Sequence, residues 1–380
     1  MNLQHPTLSG EARATPRNVG IIGLGGIAEP HLEAYAGLDC VRVVGVAEPR
    51  TTRRLEIAAR YGVAAFESGA ALLEATHPDI VCILTPASSH REVTEMCAAA
   101  GAHILCEKPM AHTLEDALAM HRSCVSHGVQ FCYGSSYRHL PAVREARRII
   151  AAGEIGKVRL MVEQVLTGRG EAEYRPLSEA HYPIGGPGGG GYGLVDHGIH
   201  MLDVMPWLCG SAVTAALGRG DRSGDCARPE FAMLTLQSGA LGVLVYDGST
   251  WPLELPAEGL FSEGRDWVDQ RGWVGPRGQW DAHPGSIRVY GSTGSLRICH
   301  YVNRLFINRR EGLHQLELPH EATPAHFGVQ MRHFCAELDV GTVPSCGAVT
   351  GIQTLATLFA IYASERSGGW QSLSPTDFPG

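Results

Sequence analysis

Val19-Gly20-Ile21-Ile22-Gly23-Leu24-Gly25-Gly26-Ile27-Ala28 runs from apolar residues into a glycine-rich turn, and a helical pattern through Leu32 and Tyr35 follows it. That order predicts a strand, a tight turn and a helix. Gly23, Gly25 and Ala28 fit the spacing G-x-G-x-x-G/A. The first glycine permits the turn, the second admits a pyrophosphate against the backbone, and a small third residue lets the helix pack closely. N–H groups at the helix start, those of Gly26 and Ile27 among them, then face the phosphates. A second apolar run, Val41 to Ala47, ends at Glu48, an acid placed to accept hydrogen bonds from the ribose hydroxyls of NAD and to repel the extra phosphate of NADP. Arg50, two residues on, is the feature that would instead suit a 2′-phosphate, so NAD is favoured and NADP is the lesser expectation.

Outward from this turn the strand pattern recurs after helical stretches, at Ile80 to Leu84, His103 to Cys106 and Val129 to Tyr133. Such alternation implies a parallel sheet with right-handed crossovers. Past Arg138 the pattern changes. Val158 to Val165, Phe231 to Leu236, Leu241 to Tyr246, Ile287 to Tyr290 and Leu305 to Ile307 read as strands mostly without intervening helices, the sign of an antiparallel sheet. Helical stretches at Leu194 to Trp207, Phe327 to Leu338 and Ile352 to Arg366 complete this half. The expected fold class is therefore α/β: a doubly wound parallel sheet followed by an α+β domain with a large, mostly antiparallel open sheet. The expected division is a loose arm over 1–18, a dinucleotide-binding domain over 19–140 and a substrate-binding and oligomerisation domain over 141–380. The closing helix, about 350–366, is a candidate to pack back on the first domain.

The bulk numbers fit two globular domains. The chain has 380 residues, 44% hydrophobic and 18% charged, and no apolar run approaches the roughly 20 residues of a membrane helix. The opening residues lack the apolar centre of a signal peptide. Eleven cysteines without a CxxC pair argue against a thiolate zinc site or a disulfide framework and read as reduced thiols in the cytoplasm. A formal net charge of -8 with no basic run gives nucleic-acid binding no electrostatic basis.

Further motifs follow the strands: Thr85-Pro86-Ala87-Ser88-Ser89-His90, then Glu107-Lys108-Pro109, then Asp196-His197-Gly198-Ile199-His200 and Ile287-Arg288-Val289-Tyr290-Gly291-Ser292-Thr293-Gly294. With these in order, the chain resembles the glucose-fructose oxidoreductase and myo-inositol dehydrogenase family (Gfo/Idh/MocA), from about Asn18 to about Arg366 apart from one insertion. The resemblance implies a Rossmann domain and an open-sheet domain with nicotinamide and substrate in the cleft between them. It implies cofactor contacts from Thr85, Pro86, His90, Glu107 and Lys108, and it carries the family's EKP lysine onto Lys108 and its D-x-x-x-H pair onto Asp196 and His200. Ala87 stands where the family often has asparagine.

Oxidising a carbinol carbon requires the hydroxyl proton to leave as the carbonyl forms, so the site needs a base near neutral pH and a donor on the oxygen. His200 suits the first task, with Asp196 four residues earlier on the same helix face to orient the ring; Lys108 suits the second. Arg138, Arg169 and Tyr192 are weaker substrate candidates. A metal-binding face of His197, His200 and Asp203 competes for the same helix, but no further ligand set stands out, so no metal is expected. Gly185 to Gly191 reads either as a backbone contact to a polyol or as a flexible connection. The segment Ser249 to Gly285, with four of the six tryptophans, reads equally as a lid or as an arm onto a neighbouring subunit.

The leading expectation is an NAD-linked dehydrogenase of a sugar, cyclitol or related polyol. The alternatives are a glycosidase or lyase of the same family that retains its NAD, and a non-catalytic sugar or nucleotide sensor. An apolar outer sheet face predicts a homodimer or homotetramer.

Overall fold

Val19 and Ile21 have no solvent exposure and form the middle of the first strand, β1 (Arg17–Ile22). The structure, a computed structural model, describes residues 15–166, 193–220, 230–247, 286–300, 302–319 and 325–374. After β1 come α1 (Ala28–Ala36), β2 (Val41–Ala47), α2 (Thr51–Tyr61), β3 (Ala64–Phe66), α3 (Gly69–Thr76), β4 (Ile80–Ile83), α4 (His90–Ala99), β5 (His103–Glu107), α5 (Leu114–Ser126) and β6 (Phe131–Gly134). Local chemistry sets several of these ends. The Ser68 side chain accepts from the Ala71 N–H to start α3, and Gly62 takes a left-handed conformation to end α2.

The six strands pair in parallel in the order β3-β2-β1-β4-β5-β6. Strand order reverses between β1 and β4, and in sheets of this kind the carboxyl ends of the strands at that point form the ligand crevice.

The second half begins with α6 (Pro141–Ala151) and β7 (Val158–Leu166), and continues after a π-helical turn (Leu194–Gly198) with α7 (Ile199–Cys209), β8 (Val213–Arg219), β9 (Glu230–Leu236) and β10 (Leu241–Asp247). There follow β11 (Ser286–Gly291), β12 (Ser295–Cys299), β13 (Arg304–Arg309), β14 (Gly312–Leu316), α8 (Ala325–Asp339), α9 (Ala348–Ser367) and β15 (Gln371–Ser372). The nine-stranded sheet runs β14-β13-β12-β11-β7-β10-β9-β8-β15, antiparallel except where β7 meets β10. Burial alternates along β9, so one face of the sheet carries the core.

Two compact units result. The first takes its described residues from Met1–Met110, Glu115–Gly134 and Pro324–Ala348, the second from Ala111–Leu114, Ser135–Thr323 and Val349–Gly380. The first unit is thus discontinuous in sequence. Met331, Phe334 and Cys335 of α8 join Leu24, Leu32 and Tyr35 in its core, and a Cβ on Gly328 would stand 3.1 Å from the Ala34 carbonyl oxygen, which shows how closely α8 approaches α1. The long closing helix α9 lies in the second unit, apart from its first residue. No helix among the described residues is long and apolar enough to cross a membrane.

Candidate functional site

The glycine turn joins β1 to α1. Gly23 has φ +94°, and a Cβ there would stand 2.8 Å from the backbone of Leu84 and Thr85, so both conformation and space require glycine. Its N–H donates to the Ala47 carbonyl (2.9 Å), which ties the turn to the end of β2. Gly25 and Gly26 differ: nothing lies within 4 Å of where their Cβ atoms would be. That open space in front of the backbone fits a pyrophosphate. Ala28 is fully buried against the sheet, and Ile27 occupies the cap position of α1.

Glu48 follows β2 and turns back onto the glycine turn. Its Oε2 accepts the Leu24 N–H (3.0 Å), and its Oε1 accepts the Arg50 N–H (3.1 Å) and Arg50 Nε (2.8 Å). Burial by itself pushes this carboxyl up. The Arg50 guanidinium and the Leu24 and Arg50 N–H groups outweigh it and bring the pKa down to about 2. Glu48 is therefore ionised at neutral pH, as a ribose acceptor must be, while the mostly exposed Arg50 competes for the same oxygens.

Thr85 and Pro86 follow β4 and lead into a short 3-10 turn ahead of α4. His90 begins α4 and places its ring between two carbonyls, Nε2 2.8 Å from Thr85 O and Nδ1 3.2 Å from Met110 O. Burial pushes its pKa down. His90 thereby braces the loop after β4 against the loop that contains Lys108. Glu107, buried at the end of β5, accepts from His31 Nε2 at Oε1 (3.1 Å) and from the Lys108 N–H at Oε2 (3.0 Å). His31 Nδ1 in turn lies 2.8 Å from the Tyr35 hydroxyl. Gly23, Glu48, Thr85 and Lys108 consequently cluster at the carboxyl ends of β1, β2, β4 and β5.

In the second unit Asp196 lies in the π-helical turn and His200 in the first turn of α7. Such π-helical turns recur at functional sites. The His200 ring is buried and stacks on Tyr137, with centroids 3.8 Å apart and planes 4° from parallel. Arg138 is engaged elsewhere: Nε donates to Asp203 Oδ2 (2.7 Å) and Nη2 to Oδ1, with Ser135 Oγ also donating to Oδ2. The Arg138–Asp203 pair is buried and bidentate, which gives Arg138 a scaffold contact and removes Asp203 from any metal-binding face with His200. Arg169, Tyr192, the glycine cluster 185–191 and the tryptophan-rich segment all lie outside the described residues.

Several residues of consequence escaped the sequence reading. His31 looks like one more residue of an amphipathic helix, and Tyr137 like part of a loop. Glu163 does leave a trace, as an acid inside the apolar strand β7; it accepts from His197 Nε2 (3.0 Å) and from the Tyr246 hydroxyl.

A parallel sheet with a glycine turn at its switch point and an ionised acid at the end of the next strand defines a dinucleotide-binding oxidoreductase architecture. The chain belongs to the GFO/IDH/MocA oxidoreductase family: residues 17–135 match its NAD-binding Rossmann-fold domain and residues 143–297 its C-terminal domain. It is 27% identical over 364 residues to D-apiose dehydrogenase of Paraburkholderia graminis, covering 92% of this chain and 87% of that protein. With D-glucoside 3-dehydrogenase of Escherichia coli it shares 30% identity over 199 residues, 52% of this chain and 55% of the relative, so that match spans only about half of either protein. The fold is that of aldose-aldose oxidoreductase from Caulobacter crescentus complexed with glycerol (TM-score 0.76, 23% identity, 94% of this chain and 100% of that one). It is also that of an Agrobacterium radiobacter oxidoreductase in complex with NAD+, L-tartaric acid and magnesium (TM-score 0.73, 20% identity, 94% and 98%).

Proposed function

We propose that this chain is a dehydrogenase that uses NAD, with NADP the lesser cofactor, on a carbinol carbon of a sugar, cyclitol or related polyol. The observation that carries the reading is the convergence of Glu48 on the glycine turn, an ionised acceptor beside open backbone. Gly23, Gly25, Gly26 and Ile27 would hold the pyrophosphate, Glu48 the ribose, and Thr85, Pro86, His90 and Glu107 the wall behind it. When bound, the nicotinamide supplies the hydride acceptor or donor. His200 takes the hydroxyl proton, Asp196 stabilises the imidazolium so formed, and Lys108 donates to the oxygen as the carbonyl develops. Stacking on Tyr137 restricts the His200 ring to one orientation, which spares the reaction the entropy of ordering it.

The named activities of the relatives, on D-apiose and D-glucosides, support a polyhydroxylated substrate. Half-buried Phe231, Met233, Val243 and Val245 on the outer sheet face favour a homodimer or homotetramer, and a single sedimentation boundary at monomer mass would count against it. A reducing compartment such as the cytoplasm suits the ten described cysteines, none of which is in a disulfide.

The test is a screen of sugars, inositols and uronates with NAD and NADP, following nicotinamide absorbance in the wild type and in Lys108→Ala. Loss of an oxygen-polarising donor should lower turnover by about 10²–10⁴-fold. Undiminished turnover in the variant sinks the assignment of the lysine, and the absence of net nicotinamide reduction with every substrate sinks the dehydrogenase reading.

A further inference from the structure

We propose that Glu163, His197 and His300 form a binding site for one divalent transition-metal ion of zinc type in the second unit. The three donors come from separate elements: Glu163 from β7, His197 from the π-helical turn, and His300 from the residue after β12. Their side chains are 0%, 3% and 0% exposed. The ligand atoms all lie within 4.8 Å of one another, with Glu163 Oε1 3.0 Å from His197 Nε2 and 3.9 Å from His300 Nε2.

A tetrahedral ion with bonds of 2.0–2.2 Å separates its donors by about 3.3–3.5 Å. The first spacing must open by a few tenths of an ångström and the second must close by about half an ångström, which small side-chain rotations supply. At 3.9 Å the His300 nitrogen is beyond hydrogen-bond reach of Glu163, while its ring lies stacked beside that of His197 with centroids 5.9 Å apart. A cation at the centre would join all three. Tyr246 donates to Glu163 Oε2 and so turns Oε1 towards the two rings, the role an outer hydrogen bond plays at metal centres.

Two imidazoles and one carboxylate suit zinc, cobalt, nickel or ferrous ions rather than the oxygen-seeking calcium and magnesium. Three protein ligands leave a fourth position for water or a substrate oxygen. The ion would clamp the turn that carries Asp196 to β7 and to the end of β12. The sequence alone pointed at His197 only through its helix neighbours His200 and Asp203, which the fold commits to Tyr137, Arg138 and Ser135. The site does not depend on the dehydrogenase reading, and either can fail without the other.

The test uses the full chain, stripped with a chelator and titrated with Co(II) and with Zn(II). Visible ligand-field bands of low-coordinate cobalt should saturate at a single ion per chain, zinc should displace them, and zinc should raise the melting midpoint. Tyr246→Phe keeps the ring and removes the outer hydrogen bond, and should weaken binding by about 10–100-fold. His300→Ala should abolish the cobalt bands. A wild-type chain with neither cobalt bands nor a zinc-dependent melting shift overturns the site. So does binding that both variants leave unchanged, because the ion is then on surface groups.

Discussion

His31 Nε2 stands 3.1 Å from Glu107 Oε1, so the helix that follows the glycine turn is bonded directly to the residue ahead of Lys108. Both side chains are buried, and the second oxygen of Glu107 holds the Lys108 N–H. His31→Leu would leave a buried carboxylate short of one donor and should lower stability by about 2–3 kcal/mol. Urea denaturation of the two proteins measures this. A difference below about 0.5 kcal/mol would mean that the pair carries little of the fold.

Gly23 and Gly25 belong to one motif yet should respond oppositely to the same substitution. Gly23→Ala drives a Cβ into the backbone of Leu84 and Thr85 at positive φ, and should cost about 1–3 kcal/mol or more in stability. Gly25→Ala meets nothing in the protein, so it should fold as the wild type does and lose dinucleotide affinity. Melting curves together with cofactor titrations separate the two, and equal destabilisation by both would contradict the geometry.

Arg50 occupies the oxygens of Glu48 that a ribose would use. Arg50→Ala should therefore improve the preference for NAD over NADP, and Glu48→Ala should weaken NAD by about 10–100-fold, the value of a hydrogen bond to a charged acceptor. Dissociation constants for both cofactors, from quenching of tryptophan fluorescence, decide it. An NAD affinity unmoved in Glu48→Ala would remove the ribose role.

Arg138 and Asp203 form a buried bidentate pair, so truncating one partner strands the other charge. Asp203→Ala should destabilise by about 3–5 kcal/mol. If the variant instead keeps wild-type stability and loses only substrate affinity, Arg138 is a substrate ligand after all.

His326 predicts an acid response. Burial, assisted by His31, pushes its pKa down to about 3, against an ordinary value of 6.5. Between those values the unfolded chain binds a proton that the folded chain refuses. Stability should be complete above about pH 6.5 and decline as pH falls towards about 3, with this residue contributing a slope of up to about 1.4 kcal/mol per pH unit. His326→Leu should flatten the stability profile by one proton between pH 6 and 4. An unchanged slope there would show that His326 is protonated in the folded protein.

Much of the frame was readable because its signals are local. An apolar run into Gly23-Leu24-Gly25 states a strand, a turn and a helix within ten residues, and period-two burial along β9 and β10 states one buried face. The short strand β3 and the edge strands β14 and β15 left weaker traces: three residues of β3 show no period, and the edges expose side chains on both faces. The parallel pairing of β7 with β10 has no local signature at all.

Contiguous residues thus determined the two kinds of sheet, the nucleotide turn and the acid that faces it, since backbone stereochemistry and hydrophobic period act over a few positions. The partners of His31, Tyr137, Glu163 and Arg138 were decided by tertiary structure alone. Apart from the local His31–Tyr35 contact and Glu163–His197, 34 positions apart, these residues meet side chains 63 to 83 positions away (Glu107, His200, Tyr246 and Asp203) or over a hundred away (His300). Such pairings follow from which elements pack together, and no short stretch of sequence encodes that.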